Sequence, residues 1–184
     1  MEENEEKQDA KSFSTDEINI IIADDEMKTC EEIEAMLKEY SYIKIIGIAN
    51  TDEEEIRMIE ELKPDVAVTD LMRRHQFTGL DIIKDYAEKE NSPKFIIVSF
   101  ASDESLCYRY KNIACSLEKY PKTNGAKLAY KILCAKRMLI VEEQKKEEKR
   151  LIEANKKSGF LSKIKELFFN LKRWKYWNKV HLKC

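Results

Sequence analysis

Five polar side chains stand where short apolar runs of this sequence end, and their types could bind a cation and a phosphoryl group together. They are an acid pair, an acid, a hydroxyl and a lysine: Asp24, Asp25, Asp70, Ser99 and Lys119. Three carboxylates brought together would repel one another, and a hard cation with oxygen ligands relieves that repulsion. Such a cation would also shield an incoming phosphoryl group, so that a carboxylate could attack phosphorus. A hydroxyl and an ammonium could then bind the phosphoryl oxygens.

The apolar runs that position these side chains are typical of buried parallel strands. They lie at residues 18–23, 43–48, 66–69, 95–98 and 113–117. The segments between them show helical spacing of apolar residues, at 27–40, 53–62, 80–88 and 103–111. A long helix begins near Asn124. Apolar strands separated by helices predict an α/β, doubly wound parallel sheet, with its site beyond the carboxyl ends of the strands.

Each residue of the set also has an ordinary structural explanation. Asp24 or Asp25 could cap the helix that begins near Met27, and Asp70 could simply begin a loop. The joint pattern is more informative than any single residue, because the acid pair, the acid, the hydroxyl and the lysine follow strands one, three, four and five in order.

Five segments around these residues resemble the receiver domain of bacterial two-component response regulators. They are IIADDE (21–26), DVAVTDLM (65–72), GLD (79–81), IIVS (96–99) and LEK (117–119). The resemblance covers roughly residues 17 to 140, and the segments IGIA (46–49) and KPD (63–65) are most similar to receivers of sporulation-control and related transcriptional types. It implies a flavodoxin-like, five-stranded parallel sheet with strand order 2-1-3-4-5 and a helical C-terminal extension.

The resemblance also implies a role for each residue of the set. Asp70 would be phosphorylated by a sensor histidine kinase or a phosphotransfer protein in a Mg²⁺-dependent phosphorelay. The metal ligands would be Asp24, Asp25, Asp70 and the backbone carbonyl of Met72. Ser99 and Lys119 would bind the phosphoryl group and act as the switch. The output would be control of transcription or of a sporulation-type response through partner proteins, and we expect no enzyme.

Several positions differ from the usual receiver pattern. The loop after Asp70 lacks the usual proline and is one residue longer before Gly79. Phe100 stands where a small residue usually follows the hydroxyl, and Ser116 stands where an aromatic switch residue is usual. The alternative function is therefore a phosphorylation-independent, receiver-like scaffold whose basic tail binds a membrane surface or an acidic protein.

The two ends of the chain predict segments of a different kind. We expect a disordered acidic tail at 1–16, the receiver domain at 17–141, a charged helical spacer at 142–158 and a basic amphipathic helix at 159–184. Residues 156–184 hold nine Lys and Arg but a single acid, Glu166. The apolar face of the last helix would consist of Phe160, Ile164, Leu167, Leu171, Trp174 and Trp177.

Three kinds of partner could bind the basic helix at 159–184. An acidic protein, including the receiver domain itself, is favoured, and an anionic membrane surface is the next alternative. Direct binding of DNA is least favoured, because no helix-turn-helix pattern is present. Five cysteines without a C-x-x-C pair, and an N-terminal segment unlike a signal peptide, predict a cytoplasmic protein, which would be peripheral at the membrane if the helix binds lipid.

Overall fold

Strands and helices alternate along residues 17–100, 102–119 and 122–157, which are the part of the chain that the computed structural model describes. The strands are β1 (Ile18–Ala23), β2 (Ile43–Ala49), β3 (Val66–Thr69), β4 (Lys94–Ser99) and β5 (Ile113–Glu118). The helices are α1 (Met27–Leu37), α2 (Asp52–Leu62), α3 (Thr78–Tyr86), α4 (Ser105–Arg109) and α5 (Gly125–Lys157). This order agrees with the sequence prediction, although α1 ends earlier than the predicted helix at 27–40, because the chain turns there towards β2.

Among the described residues, five strands form one parallel sheet in the order β2-β1-β3-β4-β5. This confirms the predicted doubly wound, flavodoxin-like class and its strand order. Ile20 of β1 lies opposite Ile45 of β2 on one side and Val66 of β3 on the other. The strand order therefore reverses between β1 and β3, and the carboxyl ends of these two strands border the crevice where such folds bind ligands.

An apolar layer covers each face of the sheet, because neighbouring residues of a strand point to opposite faces. Ile20 and Ile22 pack in one layer with residues of α1 and α5, whereas Ile21 packs in the other layer with residues of α2, α3 and α4. All three isoleucines have no exposed surface. Both faces of the strand require apolar side chains, which explains why the strand sequences show no alternation.

Gly125 begins helix α5 at a point where the backbone of α1 comes close. A Cβ at this position would lie 2.4 Å from the carbonyl oxygen of Met36. Because backbone would have to move, we expect Gly125→Ala to lower the free energy of unfolding by about 1–3 kcal/mol in urea unfolding. Gly47→Ala is a matched control with a smaller expected loss, since its nearest neighbour is the flexible side chain of Met58 at 2.7 Å. A Gly125→Ala variant as stable as wild type would contradict this close approach.

The chain divides into two units, residues 1–139 and 140–184. In the second unit the described residues, 140–157, are the end of helix α5, and their described side chains are exposed. The division into receiver domain, spacer and terminal helix stays a prediction. The predicted acidic tail and the predicted basic helix at 159–184 lie outside the described residues. No helix within the described part of the chain is both long and apolar enough to cross a bilayer.

Candidate functional site

Three carboxylates lie together where strands β1 and β3 end. Asp24 and Asp25 follow β1, Asp70 follows β3, and one oxygen of each lies within 4.8 Å of the others. Asp24 and Asp70 are buried, whereas Asp25 is partly exposed. Backbone N–H groups hold the buried pair, since Glu26 donates to Asp24 at 3.0 Å and Met72 donates to Asp70 at 3.2 Å. The parallel sheet thus brings together the three acids that the sequence singled out.

Neither member of the acid pair caps helix α1. The residue before the helix is Glu26, and its side chain makes no capping hydrogen bond to the helix. The simpler explanation of Asp24 and Asp25 as helix caps is therefore wrong.

The ammonium of Lys119 lies between two of the carboxylates. Its Nζ is 2.8 Å from Asp24 Oδ2 and 2.7 Å from Asp70 Oδ2. Burial raises the pKa of Asp24, and the hydrogen bond from Lys119 opposes that rise. Burial acts to lower the pKa of Lys119, but its hydrogen bonds to Asp24 and Asp70 raise that pKa above its ordinary value. The lysine is therefore charged and offsets part of the repulsion among the acids.

A cavity of about 300 Å³ lies beside the cluster. Its wall is formed by Asp25, Glu26, Asp70, Met72, Arg74, His75, Ser99, Phe100 and Lys119. Ser99 is 2% exposed, whereas Phe100 is 68% exposed, with its ring centroid 4.9 Å from the Nζ of Lys119. Four of the five side chains predicted from the sequence line this cavity, and the fifth, Asp24, does not. A phosphoryl donor in the cavity could therefore reach Asp70 with a hydroxyl and an ammonium nearby.

The chemistry of the three acids fits a hard divalent cation. Mg²⁺ prefers carboxylate oxygens and waters, and proteins usually bind it through one or two carboxylates. Asp24, Asp25 and Asp70 form the group within the described residues whose ligand atoms are close enough to share an ion. The contribution of the Met72 carbonyl stays a prediction.

A buried arginine, which the sequence pattern did not indicate, directly follows Met72. Arg73 is 4% exposed, and its guanidinium donates to Asp52 at 2.7 Å, to Glu55 at 2.5 Å and to the Thr69 hydroxyl at 2.5 Å. Arginine and glutamate are almost never fully buried unless they are paired. This group of four side chains, which we call the Arg73 network, connects the loop after β3 to helix α2.

Helix α2 also differs from the face that its periodicity predicted. Ile56, Ile59 and Leu62 recur at helical spacing, which predicts that they share one face of the helix, but Ile56 and Leu62 are 36% and 43% exposed. Of the three, Ile59 is buried, and the other buried position of the helix is Glu55, four residues before it. An acid of this helix therefore faces inwards, where it pairs with Arg73, and no local pattern of the sequence indicates this.

The lengthened loop after β3 forms a tight β-hairpin with a two-residue turn. Arg73 and Gln76 exchange two backbone hydrogen bonds, both 2.8 Å long. The residues between them, Arg74 and His75, have φ values of 49° and 64°. Positive φ at both central residues matches a type I′ turn, in which Asn and Gly are preferred. The N–H of Arg74 donates to Asp25 at 2.9 Å, which places this turn against the acid cluster.

Comparison with known proteins identifies the family to which this fold belongs. The family model described as the response regulator receiver domain matches residues 20–116, and the chain belongs to that family. It is 29% identical over 84 residues to the transcriptional regulatory protein YdfI of Bacillus subtilis, a match that covers 46% of this chain and 39% of YdfI. The chain spans well under half the length of this relative.

Solved structures agree with the family assignment at the level of the fold. The receiver domain of a modulated diguanylate cyclase from Desulfovibrio desulfuricans G20 has a TM-score of 0.58 and 21% identity, over 69% of this chain and 99% of that one. The response regulator domain of CheB from Thermotoga maritima has a TM-score of 0.55 and 21% identity, over 66% of this chain and 97% of that one. These likenesses support the receiver fold.

The comparisons also correct the expectation that the chain is not an enzyme. It is 32% identical over 94 residues to protein-glutamate methylesterase/protein-glutamine glutaminase 3 of Geobacter sulfurreducens. A second relative with that name occurs in Myxococcus xanthus. The expectation is therefore wrong as an exclusion, because relatives of this chain are named as enzymes. The chain covers only 24% and 25% of the length of these two relatives.

Proposed function

We propose that the chain is a phosphorylation switch in which Asp70 accepts a phosphoryl group with Mg²⁺ bound beside it. The observation that supports this most directly is the group Asp24, Asp25 and Asp70, whose ligand oxygens lie within 4.8 Å of one another. Membership of the receiver family implies interaction with a histidine kinase or a phosphotransfer protein. That partner would supply the phosphoryl group.

The residues of the cluster would divide the work of phosphoryl transfer. Asp24 and Asp25, with Asp70 and the Met72 carbonyl, would hold Mg²⁺, which neutralises charge on the phosphoryl oxygens when bound. A carboxylate oxygen of Asp70 forms the new bond to phosphorus. The bond between phosphorus and the donor's leaving group breaks, and the leaving group takes the electron pair of that bond. Positioning and charge neutralisation supply most of the rate in such transfers.

Lys119 and Ser99 would respond to the new charge on Asp70. The ammonium already contacts the Asp70 carboxylate, so it needs only a small shift to pair with a phosphoryl oxygen. The Ser99 hydroxyl would donate to another oxygen and draw in the loop after β4. That loop is tied to β5, because the N–H of Asp103 donates to the Ser116 hydroxyl at 3.2 Å. Phosphorylation would thus shift the population of two arrangements of this loop.

The output of the switch belongs to the same proposal. Control of transcription is suggested by the name of the relative YdfI, and a sporulation-type response by segments 46–49 and 63–65. An acidic protein or a membrane surface bound by residues 159–184 would carry the output. The cytoplasmic location and the peripheral contact with a membrane stay predictions.

Phosphorylation of the full chain by acetyl phosphate tests the proposal. We expect intact-mass spectrometry to show one phosphoryl adduct in the presence of Mg²⁺ and none after chelation with EDTA. Asp70→Asn should remove the adduct, because the nucleophilic carboxylate is lost. Asp81→Asn is the matched control and should retain it, since Asp81 is an exposed acid on α3 that pairs with Lys84. A folded wild-type chain without an adduct would contradict the proposal and favour the scaffold alternative.

A further inference from the structure

The Arg73 network is a buried structure that the proposed phosphorylation chemistry does not by itself require. Its guanidinium also lies 3.4 Å from the carbonyl oxygen of Ala23, the last residue of β1. The network therefore connects the end of β1, the end of β3 at Thr69 and helix α2 at Asp52 and Glu55. These are the two strand ends that carry the acid cluster.

The centre of the network is a buried ion pair between Arg73 and Glu55, whereas Asp52 at its edge is partly exposed. Glu55 has no exposed surface, and Arg73 is 4% exposed. Burial acts to lower the pKa of Arg73, but the charge of Glu55 and the hydrogen bond to it raise that pKa above its ordinary value. Arginine stays charged in proteins, and the planar fork of Arg73 donates to four acceptors, which are the side chains of Asp52, Glu55 and Thr69 and the carbonyl oxygen of Ala23. An anchor of this kind leaves the backbone at residue 73 little freedom.

The anchored residue stands between the acid cluster and a strained turn. Met72, whose N–H donates to Asp70, is its neighbour on one side. Arg74 and His75, both in the left-handed region, follow it on the other side. Left-handed conformations at residues other than glycine persist only where the surrounding structure enforces them. The hydrogen bonds of the Arg73 network to helix α2 hold the start of this turn in place.

We propose that Arg73 is a positioning residue for Mg²⁺, which fixes the backbone after Asp70 so that the Met72 carbonyl and the Asp70 carboxylate are held ready for the ion. The inference rests on the proposed function, because it concerns the metal of the same site. It adds Arg73, with its partners Glu55, Asp52 and Thr69, to the residues that determine metal affinity. Outer-sphere partners of this kind typically change metal affinity by about 10- to 100-fold.

The decisive variant replaces both members of the buried ion pair. Glu55→Leu combined with Arg73→Met removes both charges together, and such apolar replacements of buried ion pairs usually preserve folding. Isothermal titration of the full chain with MgCl₂ should then show a Kd raised by about 10- to 100-fold, with circular dichroism and cooperative unfolding like those of wild type. Arg73→Lys, which keeps the charge but loses the fork, should give an intermediate Kd.

The control replaces an ion pair at the opposite end of the sheet. Lys136 lies 2.7 Å from Asp65, which precedes β3, and Asp65 also accepts the N–H of Asn19. Asp65→Asn combined with Lys136→Met keeps an acceptor for Asn19 and should leave the Mg²⁺ Kd unchanged. This control separates loss of an ion pair as such from loss of the Arg73 network.

Each outcome of the titration decides the inference. A folded Glu55→Leu/Arg73→Met chain with the wild-type Kd would overturn the positioning role and leave the proposed phosphorylation intact. If that double variant does not fold, the Mg²⁺ Kd of Arg73→Lys is the test, and a Kd equal to that of wild type overturns the inference. A wild-type chain that binds no Mg²⁺ would overturn the metal-dependent function and the inference together.

Discussion

Replacing Lys119 with methionine is expected to lower the free energy of unfolding by about 3–5 kcal/mol in EDTA, because buried carboxylates lose the cation between them. The Nζ of Lys119 lies 2.8 Å from Asp24 and 2.7 Å from Asp70, and the three side chains are between 2% and 6% exposed. Methionine preserves most of the apolar stem and removes the charge. The loss in the free energy of unfolding therefore measures the repulsion between Asp24 and Asp70 and the cost of burying their charges.

Added Mg²⁺ should return more stability to Lys119→Met than to wild type, because the ion would replace the missing positive charge in the cluster. A ligand that binds only the folded state stabilises it in proportion to the logarithm of its concentration above Kd. Urea unfolding in EDTA and at several Mg²⁺ concentrations measures both effects. Lys136→Met, which breaks a partly exposed pair with Asp65, is the control and should lose less stability without changing the effect of Mg²⁺. Equal stability of Lys119→Met and wild type in EDTA would contradict the expected balance of charges.

Gly79→Ala is expected to damage both folding and phosphorylation. A Cβ at Gly79 would lie 2.0 Å from the carbonyl oxygen of Asp70 and 3.1 Å from the Cα of Leu71. Both neighbours are backbone, so the methyl group must displace the loop that carries the acceptor. We expect a loss of about 3 kcal/mol in the free energy of unfolding, at the upper end of typical overpacking costs. A displacement of about 1 Å would also slow phosphorylation of Asp70 by about 100-fold.

The Gly79 prediction is measured by intact-mass spectrometry over a time course with acetyl phosphate and Mg²⁺. Gly47→Ala is the control, since its closest contact is with the movable side chain of Met58. Its rate of phosphorylation should equal that of wild type. A Gly79→Ala chain that is phosphorylated at the wild-type rate would show that the backbone at Asp70 does not determine the rate.

The sheet could be predicted from the sequence because its physical requirements are local. A strand buried on both faces must be apolar at almost every position, and the five apolar runs fulfil this. Once the strands are parallel, the residues at their carboxyl ends meet at one edge, which is why Asp24, Asp25 and Asp70 could be grouped before their distances were known. Their roles as metal ligands and acceptor stay predictions.

The Arg73 network could not be predicted in the same way, because it depends on a long-range pairing. Glu55 lies in the acidic run 52–55, which is typical of an exposed first helical turn. Its burial is determined by Arg73, 18 residues further along the chain. The hairpin could not be predicted from the sequence either, since Arg74 and His75 are not the residues that a type I′ turn prefers.

In the proposed function Asp70, rather than a neighbouring acid, accepts the phosphoryl group. Borohydride reduction of the phosphorylated chain tests it most directly, because the reagent converts an acyl phosphate of aspartate into homoserine and leaves free carboxylates unchanged. Peptide mass spectrometry then locates the homoserine. We predict homoserine at position 70 and intact aspartate at positions 24 and 25. Homoserine at position 24 or 25, or none anywhere in a chain that was exposed to acetyl phosphate and Mg²⁺, would contradict phosphorylation at Asp70.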